Sequence, residues 1–187
     1  MLKFLKKQTV TLDNKWTLFL DRDGVINDNS SVYYVRKWEE FVFRDDFLEA
    51  IPFFSKIFWK IIIVTNQQGI GKGEMKTADL EDIHSKMLLE IKRKNGRIDD
   101  IFFCPHREED NCLCRKPKIG MALKAKEKYP EISFSKAVMI GDSPGDMLFA
   151  REAGMKTLFL GNRNCKIEVD GKYRNFHQIV DEFKKGI

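Results

Sequence analysis

Two aspartates spaced i, i+2 close an apolar run in Thr17-Leu18-Phe19-Leu20-Asp21-Arg22-Asp23-Gly24. The run reads as a buried strand. Alternate residues of an extended chain point the same way, so Asp21 and Asp23 share one face where the chain leaves the sheet. Two carboxylates at such an edge can hold a divalent cation and carry covalent or acid–base chemistry. Gly24 permits the sharp turn beyond them. Met139-Ile140-Gly141-Asp142-Ser143-Pro144-Gly145-Asp146 repeats the pattern, an apolar strand ending in one acid with a second four residues on. If the two strands are neighbours, Asp21, Asp23 and Asp142 converge. Three carboxylates in one crevice repel unless a cation lies between them, and oxygen ligands favour Mg²⁺. The plainer alternative is Asp142 or Ser143 capping the helix that follows.

A second set of ligands is softer. Cys104-Pro105-His106 and Cys112-Leu113-Cys114 supply three thiols and an imidazole within eleven positions. That set suits tetrahedral Zn²⁺, and four protein ligands make a closed, structural site rather than a catalytic one. Cys165 stands apart, and His84 and His177 fall in helical patterns as ordinary core or surface residues. Thr65-Asn66 and Arg115-Lys116 offer hydroxyl, amide and cationic donors suited to phosphoryl oxygens. Asp21 to Val32 is no EF-hand, because its glycine is fourth rather than sixth and no glutamate closes it. Gly69-Ile70-Gly71-Lys72-Gly73 lacks the glycine spacing and the Ser or Thr of a P-loop and reads as a flexible loop.

The elements that must position these residues are five short apolar runs: 17–20, 60–65, 99–104, 136–141 and 156–160. Ile61-Ile62-Ile63-Val64 is β-branched throughout, as for a strand buried on both faces. Helical patterns fall at 46–58, 77–95, 120–129, 144–153 and 176–185. Thr77 is placed to cap its helix and Gly96 to end it. Pro144 fits a first turn, while Pro52 predicts a kink or a late start. This alternation predicts an α/β fold, a doubly wound and mostly parallel sheet. The 187 residues predict a single domain. Ligands bind outside the carboxyl ends of such strands, and four of the five strands deliver reactive or ligating residues there. The longest irregular stretch, 25–43, is therefore expected to be functional.

Composition narrows the classes. A formal net charge of +5 suits an anionic substrate but falls short of a nucleic-acid-binding signature. No apolar run reaches the roughly 20 residues of a membrane span, and residues 1–10 lack the features of a signal peptide. A cytoplasmic setting follows, with cysteines as thiols or metal ligands.

Together these residues resemble the haloacid dehalogenase-like phosphohydrolases, from the first strand to the fifth. Asp21-Arg22-Asp23-Gly24-Val25 is similar to that superfamily's first motif and Val64-Thr65-Asn66-Gln67 to its second. Lys116 matches the third and Gly141–Asp146 the fourth. The zinc loop narrows the resemblance to the family of heptose-bisphosphate and histidinol-phosphate phosphatases. The resemblance implies that Asp21 is the nucleophile and Asp23 the general acid and base. It implies that Mg²⁺ sits on Asp21, the Asp23 backbone carbonyl and Asp142, with Asp146 orienting that shell, and that Zn²⁺ sits on Cys104, His106, Cys112 and Cys114. Substrate contacts are implied at Asn29, Ser30, Ser31 and Val32 in a flap, at Thr65, Asn66, Gln67 and Gln68, and at Arg115 and Lys116. The implied substrate is a small phosphorylated sugar, heptose bisphosphate first and histidinol phosphate or another phosphomonoester second, and the implied protein is a monomer without nucleic-acid or membrane partners. The motif spacing leaves no room for a cap domain. One departure stands out: Ser143 occupies a position where the heptose enzymes carry a lysine.

Overall fold

The computed structural model describes residues 15–28, 33–162 and 165–185. The expected flap contacts Asn29, Ser30, Ser31 and Val32 lie outside the described residues.

Six parallel strands form one sheet: β1 (Thr17–Leu20), β4 (Lys60–Asn66), β5 (Asp100–Cys104), β6 (Ala137–Gly141), β7 (Lys156–Leu160) and β8 (Gly171–Tyr173). Their order is β5-β4-β1-β6-β7-β8. The required neighbour pair exists: β1 runs beside β6 with Leu20 opposite Ile140, and beside β4 with Leu20 opposite Ile63. A two-stranded ribbon, β2 (Asn27–Asp28) with β3 (Val42–Phe43), stands apart from the sheet. Between the strands lie α1 (Asp45–Ile57), α2 (Gln68–Gly71), α3 (Thr77–Arg93), α4 (Gly120–Lys128), α5 (Pro144–Ala153) and α6 (Phe176–Lys185).

Both faces of the sheet are covered, which is why its strands are apolar runs rather than alternating patterns. Leu18, Leu20, Ile61, Ile63, Val138 and Ile140 pack into one core with residues of α1, α3 and α6. Phe19, Ile62, Val64, Met139 and Phe159 point the other way, toward α4 and α5. The α/β reading of the sequence therefore holds, with more strands than the five apolar runs indicate. β8 has three residues at the sheet edge, one of them Gly171 and none fully buried. It leaves no hydrophobic signal for a periodicity argument to detect.

Three local expectations are corrected. At Pro52 the late-start alternative falls, since helix α1 begins at Asp45 and runs through the proline. An interior proline costs about 3 kcal/mol, but the helix buries Phe47, Ala50, Ile51 and Phe54, and each large apolar side chain so buried returns about 1.5–3 kcal/mol. Thr77 is the first helical residue of α3 rather than its cap, because Asp79 Oδ2 reaches back to accept the Lys76 N–H at 2.7 Å. The glycine-rich stretch 69–73 is an ordered helical turn, not a flexible loop. A Cβ on Gly71 would lie 2.7 Å from the Pro105 carbonyl oxygen, so glycine there serves close approach to the cysteine-bearing loop.

Candidate active site

The carboxyl ends of β1, β4 and β6 open into a crevice of about 250 Å³. Asp21, Asp23, Thr65, Asn66, Lys116, Asp142, Ser143 and Asp146 line it. Residues from four separate parts of the chain thus meet where the topology predicts.

Lys116 organises the floor. Its ammonium is 2.8 Å from Asp21 Oδ1 and 2.5 Å from Asp146 Oδ1, and it donates to the Val64 carbonyl at 2.8 Å. Burial works against that charge, but Asp146 and Asp21 outweigh it and raise the ammonium to about 12. Its backbone is clamped in turn: Asn66 Oδ1 accepts the Lys116 N–H at 3.0 Å, and Asn66 Nδ2 donates to the Lys116 carbonyl at 3.1 Å. Asn66 is therefore also a brace for Lys116.

Asp146 is fully buried. Its Oδ2 accepts the Ser143 hydroxyl at 2.6 Å and the Ser143 N–H at 3.1 Å, while Ser143 Oγ accepts the Asp146 N–H at 3.3 Å. This reciprocal box starts α5. Gly141 makes space for it, since a Cβ there would fall 2.3–2.7 Å from Asp146 side-chain atoms. Ser143, the departure from the resembled motif, is thus occupied in holding Asp146.

Carboxylate oxygens of Asp21, Asp142 and Asp146 lie within 4.8 Å of one another. Burial and the Asp146 charge push the Asp21 carboxyl up to about 8, against the opposing pull of Lys116. One ammonium among three carboxylates leaves negative charge to be compensated, and hard oxygen donors fit Mg²⁺. The residues present therefore fit a divalent cation.

Asp23 has a different environment. Burial would raise its carboxyl, but Arg22 and hydrogen bonds from Gln67 and Asn27 hold it below the usual carboxylate range. Arg22 Nε and Nη2 donate to Asp23 Oδ1 at 3.1 and 2.8 Å, and Nη2 to Oδ2 at 2.9 Å. Gln67 Nε2 donates to Asp23 Oδ2 and to Thr65 Oγ1, both at 2.8 Å. Asn27 Nδ2 adds a bond of 3.1 Å to Oδ1. Gln67 is thus placed to hold Asp23 and Thr65. Gln68 opens α2, and neither glutamine lines the crevice. Arg115 also lies outside the lining, with a buried Nη1 that has no hydrogen-bond partner among the described residues. Arg22 and Asn27 were not singled out in the sequence. The available signal for Arg22 was its position: if Asp21 and Asp23 face the crevice, the residue between them points into the protein.

The thiol cluster follows directly. Cys104 is the last residue of β5, paired with Asn66. Its sulfur lies 3.4 Å from Cys112 Sγ and 3.0 Å from Cys114 Sγ, and Cys112 and Cys114 are 3.5 Å apart. His106 Nδ1 is 3.6 Å from Cys104 Sγ and 3.2 Å from Cys114 Sγ. A tetrahedron with Zn–S bonds of about 2.3 Å has edges of about 3.8 Å, so the four ligands already lie near its corners. Burial raises the Cys104 and Cys114 thiols. At Cys112 burial is outweighed by hydrogen bonds from Cys104 and the Arg115 N–H, and the thiol falls to about 6. The donor set fits Zn²⁺. This cluster ends two residues before Lys116, and Gly120 closes the loop by donating to the Leu113 carbonyl at 3.1 Å.

Comparison with known proteins gives the family. The HAD-hydrolase-like family profile matches residues 113–184. A Campylobacter jejuni protein named D-glycero-alpha-D-manno-heptose-1,7-bisphosphate 7-phosphatase is 39% identical over 170 residues, 90% of this chain and 95% of that protein. A Pseudomonas putida D-glycero-beta-D-manno-heptose-1,7-bisphosphate 7-phosphatase is 36% identical over 143 residues, covering 76% of this chain and 81% of that protein. The crystal structure of the D,D-heptose 1,7-bisphosphate phosphatase from B. bronchiseptica, in complex with magnesium and phosphate, superposes with a TM-score of 0.83 at 28% identity, covering 91% of this chain and 98% of that one. The chain belongs to the HAD-like phosphohydrolases and, within them, to the family of these heptose-bisphosphate phosphatases. It is a phosphatase by that membership, and no helix among its described residues is long and apolar enough to cross a membrane.

Proposed function

We propose that the chain removes the 7-phosphate of D-glycero-D-manno-heptose 1,7-bisphosphate through an aspartyl-phosphate intermediate. The observation that carries the chemistry is the meeting of Asp21, Asp23, Lys116 and Asp142 in one crevice; the names of the relatives support the substrate. The Asp21 carboxylate attacks phosphorus, and the phosphorus–oxygen bond to the sugar breaks. Asp23 gives a proton to the departing alkoxide, then takes one from the water that hydrolyses the intermediate. Arg22 and its partners hold Asp23 ionised in the free site, which is the state the second step needs. A phosphoryl group arriving beside it opposes that charge and raises its hold on a proton, which is the state the first step needs.

Lys116 and the Thr65 hydroxyl, both in the crevice lining, would stabilise the equatorial oxygens. Asp21, the Asp23 carbonyl and Asp142 would hold Mg²⁺, which when bound supplies neutralisation of phosphate charge. Asp146 fixes Lys116 and thereby the floor. Cys104, His106, Cys112 and Cys114 would hold Zn²⁺, which when bound would order the loop that presents Arg115 and Lys116, and Arg115 is the residue suited to gripping a second phosphate. The flap residues Asn29 to Val32 would contact the sugar.

The test is phosphate release with Mg²⁺ from both heptose 1,7-bisphosphate anomers, fructose 1,6-bisphosphate, histidinol phosphate and a 3′-phosphorylated oligonucleotide, with Asp21→Asn as blank. Both anomers belong in the panel because the relatives are named for different ones. A heptose bisphosphate leading the panel in kcat/KM is expected. Preference for histidinol phosphate, or turnover by the blank, would reject the substrate or the nucleophile respectively.

A further inference from the structure

Helix α3 carries a histidine inside its apolar stripe. Leu80, Ile83, Met87 and Ile91 are buried, and His84 is buried with them at 7% exposure. A polar ring placed there costs free energy unless a partner takes its hydrogen-bonding capacity. The partner is Arg22, whose Nη1 lies 3.3 Å from His84 Nε2. Arg22 is itself 1% exposed. A guanidinium only donates, so Nε2 is the acceptor and the ring is neutral. Burial, followed by the Arg22 charge, draws the ring down to about 3. The guanidinium is boxed: Asp23 accepts from Nε and Nη2, His84 accepts from Nη1, and the Phe41 ring centroid lies 6.0 Å from its central carbon. Phe103 packs edge-on against His84 at 6.3 Å between centroids.

We propose that His84 is a positioning residue for the acid–base carboxylate. By accepting from Arg22 it fixes the rotation of the guanidinium, and the guanidinium fixes Asp23. The proposal rests on the reading of Asp23 as proton donor and acceptor given above. His84 lies 62 positions from Arg22 and is absent from the lining of the crevice. Among the described residues its ring hydrogen-bonds to Arg22, and Arg22 leads to Asp23.

Four proteins test this: wild type, Asp23→Asn, His84→Leu and His84→Gln. Leucine keeps the apolar stripe and removes the acceptor; glutamine offers an amide oxygen at similar reach. Each is assayed on heptose bisphosphate, whose alkoxide needs a proton to leave, and on p-nitrophenyl phosphate, whose phenolate does not. The expected result is a kcat for His84→Leu reduced about tenfold or more on the sugar phosphate, since small misplacements of a catalytic group can cost up to about a hundredfold. A smaller loss on the aryl phosphate in the first-turnover burst, which precedes the hydrolysis step common to both substrates, an unchanged KM and recovery of most of kcat in His84→Gln complete the expectation. An equal loss in that burst on both substrates, a wild-type kcat in His84→Leu, or equal impairment of the two histidine variants would overturn it. Asp23→Asn separates the two layers. If it keeps full turnover on the sugar phosphate, the acid–base reading fails; if it is impaired while His84→Leu is not, only the role of His84 fails.

Discussion

The carboxylate crevice holds the Lys116 side chain, the thiol cluster ends two residues before it, and the two differ in how far their ligand sets are complete. In the crevice, three carboxylates face one ammonium, and the Asp21 carboxyl is pushed up by burial and by Asp146. In the cluster, three thiols and an imidazole already stand near tetrahedral corners, with sulfur–sulfur separations of 3.0–3.5 Å. The first arrangement stores unbalanced charge at a place open to solvent and substrate, as a site needs if it is to bind a cation and a phosphoryl group reversibly. The second draws all four ligands from the protein, as a closed structural site does. Position in the fold follows this difference: the acids sit at strand ends beside the sheet's central crevice, while the thiols span the loop between β5 and α4.

Variants can sharpen or break that contrast. The largest effect is expected for Lys116→Met, which leaves Asp21 and Asp146 facing each other without their cation. Turnover should fall by about 10²–10³, as for loss of one preorganised electrostatic contact. Breaking a buried ion pair also costs about 3–5 kcal/mol, readable by urea denaturation without Mg²⁺. A variant with wild-type activity would show that Lys116 serves structure alone. Cys112→Ser comes next. It should lose bound zinc, read by elemental analysis, and more than about 3 kcal/mol of stability, with activity falling because the loop bearing Lys116 loosens. One zinc retained per chain would contradict the ligand set.

A pH experiment addresses the stored charge itself. The Asp21 carboxyl is raised in the folded protein from its ordinary 3.8 to about 8. Its folded form therefore binds the proton more tightly than the unfolded chain does. Below pH 3.8 both states are protonated and Asp21 contributes nothing. As pH rises through the window to about 8, ionisation increasingly destabilises the fold. In chelator-treated protein, Asp21→Asn should equal wild type in stability at pH 4 and exceed it by a growing margin up to about pH 8; no divergence would mean that the crevice is not strained. The smallest effect is expected for Gly141→Ala. Its Cβ would press on the Asp146 carboxylate, and overpacking of this kind costs about 1–3 kcal/mol. Activity should drop with it, because Asp146 holds Lys116.

The sequence carried the strand ends well. An apolar run that stops at an acid identifies both the strand and its reactive end, so the positions of Asp21, Asp23 and Asp142 at the crevice are legible in the sequence. The Cys₃His set was equally visible, because its spacing is local. What escaped depends on long-range packing. His84 looks like an ordinary helical histidine until α3 brings it against Arg22. Gly71 suggests flexibility until the cysteine loop is seen pressed against it. Ser143 looks like a deficit against the resembled motif, and in the fold it caps α5 and grips Asp146. The ribbon of β2 and β3 and the edge strand β8 are too short to carry a hydrophobic period.

The central claim is that Asp21 carries the phosphoryl group. It is tested most directly by mixing the enzyme with substrate and Mg²⁺, quenching in acid within one turnover, and mapping phosphate on the resulting peptides, with Asp23→Asn included to slow breakdown of the intermediate. The account predicts an acyl phosphate on Asp21, accumulating further in the Asp23→Asn protein. Phosphate on another side chain, or product formed in the burst with no phosphorylated peptide, would contradict it.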